Sequence, residues 1–209
     1  EAGKVTAAEG DSMLLDASIV PYPAVLSRIE EMAGPIEAEM GKIVASVAAT
    51  IDGTRESCRA VECEMGNLVA DAMLDRVKGQ GVTIALQNGG GLRASIQGGQ
   101  VSMGDIIAVL PFQNTLATFQ LTGANIVASL ENGVSQVEDG GGRFPQVAGM
   151  KFTWNASAEP GARITDVLVD EGGSWVPIDP AKVYSLVSND FVRKGGDGYA
   201  ILRDEATNV

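Results

Sequence analysis

A phenylalanine, an aspartate and three glycines follow one another closely in the stretch from Asn189 to Tyr199. Phe191 lies six residues before Asp197, and glycines surround that carboxylate, so the backbone can turn sharply there and approach a ligand. A flat apolar ring beside a hydrogen-bond acceptor could stack on a nucleobase and bind a sugar hydroxyl. The alternative is a tight glycine turn beside a core phenylalanine, and this stretch alone slightly favours it.

Three earlier stretches carry further residues of the kinds that contact small ligands. They are a loop with Arg55, Cys58, Arg59 and Cys63, a glycine-rich loop with Asn88 and Arg93, and a segment with Phe112 and Asn114. The glycine-rich loop is only a weak phosphate-loop signal, because the lysine and Ser/Thr of that motif are missing. The planar fork of arginine donates hydrogen bonds to phosphate or ribose oxygens, although Arg55 and Arg59 would equally suit a solvated surface.

Strands and helices must hold these stretches in place. A short strand over Val82 to Leu86 runs into the glycine-rich loop, and an apolar run over Val183 to Val187 leads to Phe191. Further strands are predicted at 42–51, 116–121, 147–154 and 164–169, and helices around 65–73, 103–109 and 123–137. Because helices and strands interleave while several neighbouring strands look like hairpins, we expect an α+β fold, a mixed sheet with helices packed on it.

Residues 1–41 have a different pattern from the rest of the chain. Apolar residues recur from Val25 to Ile36 at spacings of three to four, with charged residues between them. This pattern predicts an amphipathic helix, interrupted or kinked where Gly34 and Pro35 fall inside it. We expect a leading segment and an interdomain linker helix over 1–41, followed by a single compact domain over 42–209. The alternative is an ordinary surface helix of one domain.

Composition excludes several classes of partner. The 209 residues carry a net charge of −12 with scattered acidic residues, which argues against nucleic acid and anionic membrane surfaces. No run approaches the roughly 18 apolar residues of a membrane span. The first residues lack the basic and apolar regions of a secretion signal, so we expect a mature or excised piece.

The chain contains no histidine, which removes the usual general base, the imidazole metal ligand and every Ser-His or Cys-His nucleophile. Two cysteines, Cys58 and Cys63, are too few for a four-thiolate zinc site. We therefore predict no metal site, no cofactor and no catalytic residue in this piece. The cysteines fit a short disulfide or two reduced thiols equally well, and a disulfide would imply an oxidising compartment.

In their order and spacing, five segments together resemble the C-terminal domain of the 5'-nucleotidase family, which includes UDP-sugar hydrolases. They are Cys58 to Leu68, Gln87 to Arg93, Leu110 to Phe112, Gly142 to Val147 and Asn189 to Tyr199. The resemblance covers the chain from roughly residue 42 to its end. Members of the family have an N-terminal metallophosphatase domain, a linking helix and a C-terminal domain that binds the nucleoside part of the substrate, and the last two are expected here.

The resemblance implies a role for each candidate residue. The base would lie between Phe112 and Phe191, Asp197 would hold the ribose hydroxyls, and Arg55, Arg59 and Arg93 would line the pocket. Asn88 would lie near the base, Asn114 matches less securely and also suits a turn, and Cys58 and Cys63 look like a disulfide of animal members. A dinuclear site for divalent metal ions is implied for the absent N-terminal domain. This piece would therefore bind without hydrolysing, in a periplasmic or extracellular enzyme that hydrolyses nucleotide phosphomonoesters.

Two other functions stay open at this point. One is a stand-alone nucleoside-binding module without a catalytic partner. The other is a relative that acts on cyclic nucleotides, UDP-sugars or sulfur-linked groups, although the presence of both Phe112 and Phe191 favours a substrate with a base. The preferred base is undetermined, because stacking tolerates any of them.

Overall fold

The structure is a computed structural model that describes residues 7–208. The helices are α1 (Pro23–Met40), α2 (Arg55–Cys58), α3 (Glu64–Arg76), α4 (Met103–Val109), α5 (Gly123–Gly133), α6 (Asp190–Arg193) and α7 (Ala200–Asp204). The strands are β1 (Ile43–Val47), β2 (Ile84–Asn88), β3 (Gly99–Ser102), β4 (Leu116–Thr122), β5 (Pro145–Ala148), β6 (Met150–Trp154), β7 (Ile164–Glu171), β8 (Ser174–Pro177), β9 (Val183–Asn189) and β10 (Thr207–Asn208). Contacts divide the chain into two units, which meet in sequence between Met40 and Gly41.

The first unit contains α1, which includes Pro35 and has no buried residue. Of the two alternatives predicted at Gly34 and Pro35, an interruption is wrong, because the helix continues through both, whereas a kink stays a prediction. Proline fixes φ near the helical value, so the chain can keep helical geometry while one backbone hydrogen bond is missing. The function of α1 as an interdomain linker stays a prediction. Within residues 7–208, no helix is both long and apolar enough to cross a bilayer.

The second unit is built on a five-stranded sheet with the order β10-β4-β9-β2-β5. Strands β2 and β9 are parallel, whereas β4 with β9, β10 with β4 and β2 with β5 are antiparallel. Strands β1 and β3 form a separate pair, and β6, β7 and β8 form a three-stranded antiparallel sheet. The mixed central sheet with its helices confirms the predicted α+β class.

Alternating side chains of β2 belong to two buried hydrophobic clusters, one on each face of the central sheet. Ala85 packs in the cluster that contains Val69 of α3, whereas Leu86 packs in the cluster that contains Leu130 of α5. This alternation is expected because successive side chains of a strand point to opposite faces. A helix therefore covers each face, and the parallel strands β2 and β9 both finish in polar residues at the same end of the sheet.

The single strand predicted over 147–154 is wrong, because β5 and β6 belong to different sheets. Gly149 separates them with φ of 71°, in the left-handed region that favours glycine, and a side chain there would overlap the carbonyl of Thr83. The short strands β3 and β8 were not predicted from their sequences. The helix predicted to end at Val137 ends at Gly133, and the strand predicted over 42–51 is limited to β1.

Strand pairing brings four distant loops to one edge of the central sheet. Because β2 and β9 are parallel, the loops that follow Asn88 and Asn189 leave the same edge. Leu116, at the start of β4, pairs with Asn189, and Pro145, at the start of β5, pairs with Asn88. The segments that precede β4 and β5 therefore join the two loops there.

Candidate functional site

A cleft of about 460 Å³ lies at this sheet edge. It is lined by Arg59, Asn88, Arg93, Phe112, Asn114, Phe191 and Asp197, together with Gly90, Gly91 and Gly142. The eighth predicted residue, Arg55, is exposed at the start of α2 and is not among these lining residues. The fold thus brings seven of the eight candidates together, and their functions in binding stay predictions.

Helix α6 carries the ring of Phe191, and the loop after it carries the carboxylate of Asp197. Asp197 has φ of 53°, and the glycines on either side of the turn, Gly195 and Gly198, have φ of 94° and 81°. Left-handed backbone is tolerated by aspartate and favoured by glycine. The ring of Phe191 lies on Gly196 so closely that a Cβ at residue 196 would overlap it. Glycine is therefore required here for close approach as well as for turning.

A buried network of amides orients the Asp197 carboxylate. The Nδ2 of Asn88 donates to Oδ2 of Asp197 at 2.7 Å. The Oδ1 of Asn88 accepts from Nε2 of Gln87 at 3.2 Å and from Nδ2 of Asn189 at 2.9 Å. Because both donors point at Oδ1, the amide of Asn88 can present only its nitrogen to the carboxylate. All three amide side chains are at most 4% exposed.

Sequence reasoning did not assign a function to Gln87 or Asn189. Asn189 also donates to Oε1 of Gln87 at 3.0 Å and accepts from the backbone N–H of Val192, at the start of α6. The network therefore connects the helix that carries Phe191 to the residue that orients Asp197. A signal was available in the sequence, because polar amides directly after the apolar runs of β2 and β9 must be hydrogen-bonded if buried.

A second set of contacts holds the backbone of the same loop. The Nδ2 of Asn132 donates to the carbonyl of Asp197 at 3.2 Å, and Nη1 of Arg143 donates to Oδ1 of Asn132 at 3.2 Å. The hydroxyl of Tyr199 donates to the carbonyl of Arg143 at 2.7 Å. Burial raises the pKa of Tyr199, so this hydroxyl keeps its proton at neutral pH.

Arginine side chains make the cleft locally positive in a chain of net charge −12. Burial is the largest cause that lowers the pKa of Arg59, followed by the charges of Arg55 and Arg93, while Asp197 opposes the shift. The guanidinium nevertheless stays charged at neutral pH. Its Nη1 donates to the carbonyl of Gly140 at 3.3 Å, but its buried Nε has no hydrogen-bond partner among the residues that the structure describes. A cation with a spare donor stabilises a ligand that supplies oxygen acceptors.

Phe112 supplies the second aromatic ring of the cleft. The guanidinium carbon of Arg93 lies 5.7 Å from the centroid of its ring, within cation–π range. Phe112 is 54% exposed and Phe191 is 45% exposed. Two large apolar rings left half-uncovered in a concave surface are typical of a site for a planar ligand.

Cys58 and Cys63 form a disulfide, so of the two alternatives the bonded pair is present. Both cysteines are buried, and the bond closes the loop that carries Arg59. This loop packs against the glycine-rich loop, because a side chain at Gly89 would overlap the carbonyl of Cys58.

The resemblance implies a dinuclear metal site in an N-terminal domain rather than in the residues of this chain. Within residues 7–208, no group of three or more carboxylate or cysteine side chains is placed to hold a metal ion.

Comparisons with known proteins agree with this architecture. The family model "5'-nucleotidase, C-terminal domain" matches residues 40–204. The trifunctional nucleotide phosphoesterase protein of Bacillus subtilis is 38% identical to this chain, over 91% of this chain and 13% of its own length. The 5'-nucleotidase of Diplobatis ommata is 32% identical, over 97% of this chain and 38% of its own length. The crystal structure of a 5'-nucleotidase precursor from Thermus thermophilus superposes with a TM-score of 0.84 at 39% identity, covering 89% of this chain and 37% of that one.

The chain thus spans less than half the length of each of these relatives. The family match nevertheless covers most of the second unit, including every loop that lines the cleft. This chain belongs to the family of 5'-nucleotidase C-terminal domains.

Proposed function

We propose that the cleft binds the base and ribose of a nucleotide, and that the chain is the substrate-binding domain of a metal-dependent 5'-nucleotidase. The observation that carries this proposal is the placement of two half-exposed phenylalanine rings and an oriented carboxylate in one cleft. The names of the relatives, nucleotidases and a nucleotide phosphoesterase, support the substrate class.

Stacking on Phe112 and Phe191 would supply most of the affinity for the base. A base offers a π-face on each side, and stacking contributes on the order of 1 to 3 kcal/mol per base. Both rings are exposed enough to lose contact with water when a planar ligand covers them. Such a site accepts purines and pyrimidines, so it would favour nucleosides as a class without selecting one base.

Asp197 would accept hydrogen bonds from the ribose hydroxyls. Asn88 donates to one carboxylate oxygen, and a carboxylate can accept several hydrogen bonds at once. The amide network fixes the direction of the carboxylate before the sugar arrives, so little reorganisation accompanies binding. Asn88 and Asn114 both line the cleft, and we place Asn88 near the base.

Arg59 and Arg93 would favour the anionic part of the ligand. Each can donate from a planar fork, and Arg59 has a buried N–H without a partner in the described residues. The exposed Arg55 would act through its charge alone. Through these arginines, a chain of net charge −12 could attract a nucleotide to one place on its surface.

We assign hydrolysis of the phosphomonoester to the intact parent enzyme. Divalent metal ions would be held in a dinuclear site of an N-terminal metallophosphatase domain in the same parent chain. Residues 1–41 would form a leading segment and the interdomain linker helix, and residues 42–209 the substrate-binding domain. The disulfide Cys58–Cys63 supports a periplasmic or extracellular location, because such bonds rarely persist in the cytosol.

Calorimetric titration of the 209-residue chain with adenosine, AMP and ribose 5-phosphate tests the proposal. We expect adenosine and AMP to bind, ribose 5-phosphate to give no heat, and both Phe191→Ala and Asp197→Ala to weaken binding of adenosine and AMP by at least about fivefold. Trp175→Ala and Asp166→Ala are matched controls, since Trp175 is 46% exposed and both residues lie outside the cleft. Equal losses in controls and cleft variants, or no binding by the unmodified chain, would refute the nucleoside site. Metal-dependent turnover of AMP by the purified chain would contradict the assignment of hydrolysis to another domain.

A further inference from the structure

Gln146 is a buried polar residue whose function the cleft itself does not explain. It lies on β5, paired with Gln87, and is 1% exposed. It belongs to the segment Gly142 to Val147, which carried part of the family resemblance, yet Gln146 does not line the cleft. A buried amide is costly unless its donors and acceptor are all used, so its partners indicate what it does.

The three hydrogen bonds of its side chain go to the disulfide loop, residues 58–63. The Nε2 of Gln146 donates to the carbonyl of Cys58 at 3.0 Å and to that of Val61 at 2.8 Å. Its Oε1 accepts from the backbone N–H of Cys63 at 3.1 Å. Arg59 lies inside this loop, between the two carbonyls that the amide binds. One side chain therefore fixes peptide groups on both sides of the arginine.

Helix α3 also packs closely against the amide. A Cβ at Gly66 would overlap the Gln146 side chain, so α3 limits the space in which the amide can move. The disulfide joins Cys58 to Cys63 but does not bind the peptide groups between them. The two loop carbonyls and the backbone N–H of Cys63 require a side chain with two donors and one acceptor. The planar amide of glutamine provides them, and an apolar side chain of the same size does not.

We propose that Gln146 is a positioning residue that holds the loop 58–63 so that the Arg59 guanidinium faces the cleft. It touches no ligand and acts through Arg59. The effect on affinity rests on the proposed function, whereas the effect on the placement of Arg59 does not. The two parts are therefore tested separately.

The placement is tested by nuclear magnetic resonance of the arginine Nε–H groups, without a ligand. The Nε of Arg59 is buried, so we expect a slowly exchanging resonance that disappears in Arg59→Lys. In Gln146→Met, which keeps the length of the side chain without its hydrogen bonds, exchange should accelerate at least about tenfold, because the loop is released. Val167→Ala is the control, since Val167 is also buried but lies in the other hydrophobic cluster. An unchanged exchange rate of the Arg59 Nε–H in Gln146→Met, or an equal acceleration of that exchange in the control, would overturn the proposal.

A second variant keeps this test decisive if Gln146→Met does not fold. Gly66→Ala leaves the amide chemically intact but displaces it, because the new methyl group occupies its position. We expect the same acceleration of hydrogen exchange at the Arg59 Nε–H. A folded Gly66→Ala chain with the resonance unchanged would show that the loop does not depend on this amide.

The consequence for binding is tested by a double-mutant cycle. The readout is the ratio of the affinity for AMP to that for adenosine, which isolates the contribution of the phosphate. We expect Arg59→Ala and Gln146→Met each to lower this ratio, by about tenfold for the loss of a charge-assisted hydrogen bond, and the double variant to lower it no further than Arg59→Ala alone. Additive losses, or equal losses for adenosine and AMP in Gln146→Met, would overturn the proposal. If the unmodified chain binds neither compound, the nucleoside site fails, and the Arg59 resonance still decides the function of Gln146.

Discussion

Two exposed aromatic rings in this molecule carry a cation above them, but their surroundings differ completely. In the cleft, Arg93 lies over Phe112 at 5.7 Å, and on the three-stranded sheet Lys151 lies over Trp175 at 4.2 Å. The pair at Trp175 has the shorter distance and a similar exposure. Only the pair in the cleft lies beside the buried amides and the oriented carboxylate of Asp197. A cation–π pair therefore does not by itself mark a binding site, whereas buried polar groups that converge on a concavity do.

The glycines of the two regions also differ in what surrounds them. In the hairpin between β7 and β8, Gly172 and Gly173 have positive φ, but a side chain added at either would meet nothing. In the glycine-rich loop beside the cleft, an added side chain at Gly89 would overlap the backbone carbonyl of Cys58. Glycine serves the hairpin through its backbone freedom alone, and it serves the cleft by letting two loops touch.

The largest expected effect separates these two kinds of glycine. Gly89→Ala should lower the free energy of unfolding by about 3 kcal/mol, because overpacking against a backbone carbonyl forces two loops apart. Gly173→Ala should cost about 1 kcal/mol, since it adds only the strain of a left-handed alanine. Urea denaturation of both variants measures the difference. Equal losses would mean that close approach of the loops contributes nothing.

The next effect separates the aromatic rings by their contribution to binding. Phe191→Ala should weaken binding of AMP by about 1 to 3 kcal/mol, roughly 5- to 150-fold, through lost stacking. Trp175→Ala should leave the affinity unchanged, although its ring is exposed to the same extent. Isothermal titration calorimetry of the two variants provides the comparison. A loss at Trp175 as large as that at Phe191 would break the distinction between the two regions.

The two cations should differ in the same way. Arg93→Ala should weaken AMP binding by about 1.5 to 3 kcal/mol, the value of a hydrogen bond to a charged group. Lys151→Ala should leave AMP binding unchanged and lower the free energy of unfolding by about 0.5 to 1 kcal/mol, as expected for an exposed cation–π pair. Titration and urea denaturation of both variants test these values. If Lys151→Ala weakens binding of AMP, the sheet surface takes part in recognition.

The smallest effect concerns the amide network behind Asp197. Gln87→Met removes one of the two donors to Oδ1 of Asn88, and we expect the affinity for adenosine to fall by about 1 kcal/mol because Asn88 is then less firmly oriented. Thr165→Val removes an exposed hydrogen bond of the three-stranded sheet and serves as the control. Adenosine titration distinguishes them. Unchanged affinity in Gln87→Met would mean that Asn189 alone orients Asn88.

Much of the fold could be predicted from local patterns. The apolar stripe from Met65 to Met73 indicated α3, and the helix Met103–Val109 was predicted within its observed bounds. Prediction failed where tertiary packing decided the outcome, as at Gly149, where one apolar run is divided between two sheets. The short strands β3 and β8 have too few apolar residues for a clear period, so their pairing partners define them.

The candidate residues were all named from the sequence, because the order and spacing of the segments that carry them resemble the family, although each segment alone is a weak signal. Their mutual placement was not visible. Asn88 and Asp197 are 109 residues apart and meet at 2.7 Å only because β2 and β9 lie side by side and parallel. Gln146, 83 residues after Cys63, supports the Arg59 loop for the same kind of reason. The local sequence shows which side chains could bind a ligand. Hydrogen-bond partners so distant in sequence are determined by the packing of the whole sheet.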